Sequence, residues 1–227
     1  MQEIRKRLVV AGGGPAGICA ALAAARLGID TVLVGNRPVL GGNSSSEIRV
    51  WTRGATGAGN LFAEEMGIWG GLKLKNFYRN PDGNPIFWSE TLLDAVMGQQ
   101  NLEFFLNTEL FDLRMEGNRI VWVEGVQQGT ERRLRFLADY FIDATGDGTL
   151  AARAGLPYYI GNHLVEPGQG PQRPGAHIQG SSILYYTRRE DHPVTFIPPD
   201  YAYSMEKIEE LLGRGGRVIT EQSSGSD

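Results

Sequence analysis

VVAGGGPAG, from Val9 to Gly17, is the stretch that decides the fold. Gly12, Gly14 and Gly17 stand in it at the spacing G-x-G-x-x-G. The first glycine permits a tight turn, the second lets backbone approach a diphosphate, and the third lets a helix and a strand pack closely. The anion is held by main-chain N–H groups at a helix N-terminus, which need no side chain. Such a fingerprint is weak alone and gains weight from its flanks. Leu8 to Ala11 is an apolar run suited to a short buried strand, and Pro15 sits where a first helical turn tolerates a missing N–H. Ala16 to Leu27 follows as an alanine-rich helix with Gly28 as its C-cap, and Thr31 to Val34 is the next buried strand. This is βαβ grammar, which predicts an α/β fold with a Rossmann-like parallel sheet covered by helices.

Outward from that unit the pattern is mixed. Ser89 is positioned to cap a helix in which Leu92, Leu93, Val96 and Met97 share a face, and Leu102 to Leu106 reads as a third strand. Three runs then follow, Glu109 to Met115, Ile120 to Val126 and Arg132 to Leu137, separated by the turn sequences EGN and QQGTE. They predict an antiparallel β-meander, at about 108–138, inserted into the parallel sheet. Tyr140 to Ala144 returns as a buried strand and delivers TGDGT. From Asn162 to Gly175, prolines and glycines predict a loop or linker; beyond it Ile178 to Thr187 reads as a strand, Met205 to Leu212 as an amphipathic helix and Arg217 to Thr220 as one more strand.

The end of the second strand poses a question of ligand. A dinucleotide fold places a carboxylate there to accept hydrogen bonds from a ribose, and this chain has Gly35, Asn36 and Arg37. Asn36 still accepts a hydrogen bond without charge, while Arg37 suits a 2′-phosphate, so this triplet leaves FAD, NAD and NADP open. A plain polar turn before Pro38 accounts for the same residues. Two further stretches narrow the choice. In LGGNSSSEIRVW, Gly41 and Gly42 leave room for a bound group beside Asn43, Ser44, Ser45 and Ser46. In FIDATGDGT, Ala144, Thr145 and Gly146 are small residues that expose backbone amides at a strand end.

These residues resemble the FAD-dependent oxidoreductases with a glutathione-reductase-type flavin fold. GGNSSSEIRVW and IDATGDGTLAARAGLPY are most similar to the bacterial family called FAD-dependent oxidoreductase, and the resemblance runs from about Leu8 to Tyr159. It implies a FAD/NAD(P)-binding type of fold, with residues 1–160 as the FAD-binding domain and residues 161–227 as a linker and an incomplete substrate domain. It implies FAD contacts from Gly12, Gly14, Pro15, Ala16, Gly17, Gly41, Gly42, Asn43, Ser44, Ala144, Thr145, Gly146 and Asp147; the missing carboxylate departs from the family pattern, with Gly35 in its place, and Asn36 and Arg37 beside it are the remaining candidate cofactor contacts. Asp147 has a second reading as the cap of a helix starting near Thr149. Glu47, Arg49 and Arg53 are the candidates for lying near the flavin ring, where an arginine stabilises a reduced anionic flavin; surface ion pairs are the plainer reading. Members of the family continue well past this length, which implies that the chain is an N-terminal portion holding FAD weakly or not at all.

Composition closes off other classes. The 227 residues carry a net charge of -4, which argues against a nucleic-acid partner. Cys19 is the only cysteine, so no internal disulfide forms, and a reducing cytoplasm is compatible. The apolar run from Ile18 to Ala25 is too short for a bilayer, and Arg5, Lys6 and Arg7 read as a solvated lead-in. No hydrolytic triad order or metal-ligand spacing appears, and the three histidines, His163, His177 and His192, are scattered. Glu64 and Glu65 read as a solvated helix face, and Tyr185 and Tyr186 as the start of the substrate domain. The expectation is a FAD-dependent enzyme acting on a small organic molecule, without metal or membrane partner and compatible with a homo-oligomer. An NADP-dependent reductase and a non-catalytic dinucleotide-binding module are the alternatives.

Overall fold

The computed structural model describes residues 1–52, 54–56, 59–60, 63–64, 66–161, 163–166, 188–195 and 197–212. Chain packing divides it into Met1–Ser182 and Ile183–Asp227. The first unit opens with β1 (Gln2–Arg5), β2 (Leu8–Ala11), α1 (Pro15–Arg26) and β3 (Thr31–Val34), followed by α2 (Gly67–Arg79), α3 (Pro85–Met97) and β4 (Leu102–Phe105). Next come β5 (Thr108–Glu116), β6 (Arg119–Gln127), β7 (Arg132–Leu137), β8 (Tyr140–Asp143), α4 (Thr149–Arg153), β9 (Tyr158–Ile160) and β10 (His163–Val165).

Strands β4, β3, β2 and β8 form one parallel sheet in that order. The meander β5, β6 and β7 is inserted in sequence between β4 and β8 but builds a second sheet of its own, whose other edge is β1, parallel to β7. The alternation of side chains explains the layering. Along β2 and β3, Leu8, Val10 and Leu33 face α1 and α3, packing with Ile18, Leu22, Trp88 and Leu92. Val9, Ala11, Val32 and Val34 face the other way, against Ile4, Val123, Leu134 and Phe136 of the second sheet. A strand buried on both faces takes almost only apolar residues, and β2 and β3 comply except at Thr31, whose buried hydroxyl donates to the Ile29 carbonyl at 2.9 Å. Phe105 and Phe136 meet edge to face at 5.4 Å, joining the two sheets.

Several expectations need correction. Arg5 and Arg7 are exposed as expected, but the triplet is more than a lead-in: Arg5 ends β1, which pairs with β7, Lys6 donates to Asp30 at 2.9 Å and lies 3.4 Å from Glu103, and Arg7 lies 2.6 Å from Asp139. Ser89 is no cap: Asn84 accepts from the Ile86 amide at 2.9 Å and α3 begins at Pro85, so Ser89 lies inside the helix. Strand β8 is not buried throughout, because it closes one edge of the parallel sheet and exposes Tyr140. The segment from Asn162 is not all loop, since His163–Val165 pairs antiparallel with Tyr158–Ile160. Glu64 lies on no helix and pairs with Lys73 at 2.6 Å. In the second unit α5 (Met205–Leu212) takes its expected bounds, with Ser204 accepting from the Lys207 amide. Arg53, Glu65, His177, Tyr185, Tyr186 and the strands expected at 178–187 and 217–220 lie outside the described residues.

Candidate functional site

The site begins at the carboxyl end of β2. Gly12 turns with φ +111°, and its amide donates to the Val34 carbonyl at 2.7 Å. A Cβ there would stand 2.1 Å from the Ala144 carbonyl oxygen, so only glycine lets β8 come this close. Gly17 repeats the device one helical turn on, where a Cβ would lie 1.9 Å from the Gly12 carbonyl oxygen. The start of α1 has no side-chain cap and no acidic residue in its first turn. Its uncovered amides and the helix dipole thus make a site for negative charge.

From the other side comes Gly42, whose Cα sits against Gly14: a Cβ on Gly42 would be 3.1 Å from the Gly14 Cα. The turn is fixed by the Gly41 amide, which donates to the Gly13 carbonyl at 2.8 Å. The serines that follow are mostly structural. Ser44 donates its hydroxyl to the Gly41 carbonyl at 2.8 Å, Ser45 is buried, and the Ser46 amide donates to the Ser89 hydroxyl at 3.0 Å. Ser89 is thus a clip between α3 and the glycine turn.

The third wall comes from the end of β8. Asp143 accepts from the Thr145 hydroxyl at 2.7 Å, the Thr145 amide at 3.1 Å and the Ala151 amide at 2.9 Å. Partial burial pushes its pKa up, and these hydrogen bonds, led by that of Ala151, outweigh burial and hold it below the usual carboxylate value. The Thr145 hydroxyl in turn accepts from the Thr149 amide at 2.9 Å. The N-cap of α4 is Gly148, without a side-chain hydrogen bond, so Asp147 is not the cap. Nothing singled out Asp143 in the sequence; its place two residues before Thr145 was the available sign, an Asx-type pattern at a strand end.

These walls enclose one cleft of about 530 Å³. Of the expected contacts, Gly12, Gly14, Pro15, Ala16, Asn36, Arg37, Gly42, Asn43, Ser44, Ala144, Thr145, Gly146 and Asp147 line it. Gly17 and Gly41 do not, because Gly17 is sealed against Gly12 and Gly41 lies in the turn against Leu92 and Ser45. Gly13, Gly35, Val39, Val50, Trp51 and Thr52 line it as well. Arg37 is already engaged, its Nη1 lying 3.2 Å from Glu47 Oε2. Neither Glu47 nor Arg49 is part of the cleft wall: Glu47 is drawn to Arg37, and Arg49, at φ +62°, turns its Nε back to the Ser46 carbonyl at 2.8 Å.

The cleft suits a dinucleotide on three counts. It has side-chain-free positions at Gly12, Gly14 and Gly42, an uncapped helix start, and a volume within the ~300–1,000 Å³ usual for cofactor sites. A cavity of similar size, about 550 Å³, lies between Arg5, Lys6, Arg7 and Arg119 but is lined also by Asp30, Glu116 and Asp139, which offset most of that charge. Glu190, Asp191 and His192 bring potential ligand atoms within 4.8 Å of one another, where His192 is already 2.8 Å from Asp191. Among the described residues no helix is long and apolar enough to cross a membrane.

The sequence profile of the family described as FAD dependent oxidoreductase matches residues 8–211. No curated protein matches the chain. Solved structures similar to it include Mycobacterium smegmatis Sdh1 in complex with UQ1, at 15% identity over 69% of this chain and 39% of that one, with a TM-score of 0.48. A variant of E. coli quinol fumarate reductase FrdA is 16% identical over 64% and 33%, with a TM-score of 0.47. The myxobacterial chondrochloren halogenase CndH is 20% identical over 69% and 41%, with a TM-score of 0.46. The chain spans well under half the length of each.

Proposed function

The chain belongs to the FAD dependent oxidoreductase family, and from that premise we propose that the cleft between the ends of β2, β3 and β8 seats FAD and serves a redox reaction on a small organic molecule. The observation that carries this reading is convergence: Gly14 at the start of α1, Gly42 after β3 and Gly146 after β8 line one cleft, although 132 positions separate the first from the last (146 − 14). The helix start and Gly42 then receive the diphosphate, while Asn36 meets the ribose in place of a carboxylate. FAD supplies the electron-accepting and electron-donating chemistry, and the protein supplies position and charge. In this reading residues 1–160 hold the cofactor and residues 161–227 begin the substrate-contacting part.

The Arg37–Glu47 pair favours FAD over NADP. An arginine awaiting a 2′-phosphate is best left uncommitted, and here a carboxylate already faces it.

Equilibrium titration of the purified chain tests the proposal. FAD is expected to bind weakly but saturably, reaching one equivalent with FAD in excess, seen by quenching of its own fluorescence, and NADPH is expected not to displace it. Binding of NADPH in preference to FAD would overturn the assignment, and a bound flavin that no reductant can reduce would leave only a dinucleotide-binding module.

A further inference from the structure

Trp51 and Thr52 line two cavities. One is the cleft described above, and the other is a smaller one of about 240 Å³ whose wall continues through Lys73, Asn76 and Phe77 of α2 to Trp88 of α3. A bound molecule in the smaller cavity and a cofactor in the larger would thus share one wall. The two cavities are therefore adjacent, and adjacency is the first condition for bringing a substrate to a coenzyme.

The lining is aromatic with convergent polar groups. Trp88 is buried and fixed edge to face against Trp69 at 5.3 Å, so it makes a rigid base. Trp51 is 53% exposed and Phe77 72% exposed, although both are large apolar groups beside a cavity. Gly83, at φ +66°, packs beside the Trp51 indole, where a Cβ would be in ordinary contact at 3.9 Å, so the backbone conformation and not lack of space favours glycine there. Asn76 is only 8% exposed, and its Oδ1 accepts from Asn80 at 3.2 Å. Its amide nitrogen makes no hydrogen bond among the described residues. Among these residues no side-chain nitrogen or oxygen is sealed from solvent without a partner, so the Asn76 N–H₂ is not sealed off, and Asn76 lines the cavity. Lys73 is held at the wall by Glu64 at 2.6 Å, which leaves local charge near zero. A nearly buried donor with nothing to donate to, set between aromatic faces, is built for an acceptor that arrives with a ligand.

We propose that this cavity is a substrate pocket for a small planar molecule, about one ring in size, whose carboxylate or carbonyl oxygen accepts from Asn76. The volume lies below the ~300–1,000 Å³ of drug-sized sites, which sets the size limit. Its use as a substrate pocket rests on the FAD reading; its capacity to bind does not.

Benzoate is the probe, with acetate as the ringless control, and each is titrated into the flavin-free and the FAD-loaded chain. Benzoate is expected to quench tryptophan fluorescence saturably in both forms and to perturb the visible flavin spectrum in the second, while acetate does neither. Asn76→Asp, which keeps the acceptor for Asn80 but removes the free N–H₂, is expected to weaken benzoate by about tenfold or more. Phe77→Ala, at an exposed position, is expected to weaken it by about fivefold, with FAD stoichiometry unchanged in both variants. Absence of saturable quenching, an equal response to acetate, or equal benzoate affinity in the folded Phe77→Ala chain would overturn the pocket. Failure of FAD to bind while benzoate still quenches would overturn the cofactor reading and leave the pocket standing. Quenching without any change in the flavin spectrum would overturn its role as a substrate site.

Discussion

The two glycine turns that meet at the cleft are built on opposite terms. In the front turn, added methyl groups at Gly12 and Gly17 would strike backbone oxygens at 2.1 and 1.9 Å. In the rear turn, Gly146 and Gly148 also have positive φ, +85° and +65°, but a methyl on either would meet nothing within 4 Å. The front glycines exist because chain segments press together there. The rear glycines serve a backbone conformation and leave space in front of it. Two glycine-rich motifs that look alike in sequence thus divide the labour, one as a joint and one as an opening.

The largest effect that can break this distinction belongs to the joint. Gly17→Ala forces α1 away from Gly12, and since the obstacle is backbone the strain has no flexible side chain to absorb it. A loss on the order of 3 kcal/mol or more is expected, together with loss of FAD binding. Gly12→Ala is expected to behave alike, with left-handed strain added at φ +111°. Urea unfolding followed by circular dichroism checks both, and midpoints near the parent's would show that the front turn is not a close-packed joint.

How far the sequence disclosed this arrangement depends on the kind of signal. Strands β2 and β3 and helix α1 were legible because apolar runs, Pro15 and Gly28 each carry a local cause. The meander was legible from its turns. Its membership in a separate sheet was not, because it depends on β1 pairing with β7 across about 130 residues, and β1 reads QEIR, with only Ile4 buried. Helix α2 left a weak trace, since Gly67, Gly70 and Gly71 obscure its helical period and only Trp69, Leu72 and Asn76 are buried. In the cleft, motif residues were readable because their chemistry is backbone chemistry. The Arg37–Glu47 pair and the Ser46–Ser89 clip were not, being choices between several local partners made by tertiary packing.

Asp143 sharpens the contrast at intermediate scale, because it is what holds the rear turn in place of close packing. Asp143→Asn keeps one acceptor and forfeits the charge, so the chain is expected to lose about 1–2 kcal/mol at neutral pH, discounted because the carboxylate is partly exposed. The sign with pH follows from its lowered pKa. The carboxylate's contribution is complete above the unfolded value, about 3.9, and disappears as pH falls through the lower folded value. Stability curves of parent and variant are therefore expected to separate at pH 7 and to converge in acid; a constant gap at every pH would place the effect in packing rather than charge.

The smallest expected change in stability falls at the opening itself. Gly146→Ala costs only the left-handed conformation, about 1 kcal/mol, because no protein atom lies near the new methyl group. The same methyl would stand in the wall of the cleft, where space empty of protein is space for the ligand. FAD affinity is therefore expected to fall by about tenfold or more while the unfolding midpoint barely moves, whereas at Gly17 the two quantities fall together. Measured on the same samples by flavin fluorescence and urea titration, the ratio of the two losses distinguishes a glycine that the fold needs from one that the cofactor needs. If Gly146→Ala binds FAD as the parent does, the diphosphate and its neighbours do not pass by the end of β8. The late strand would then contribute to the sheet alone.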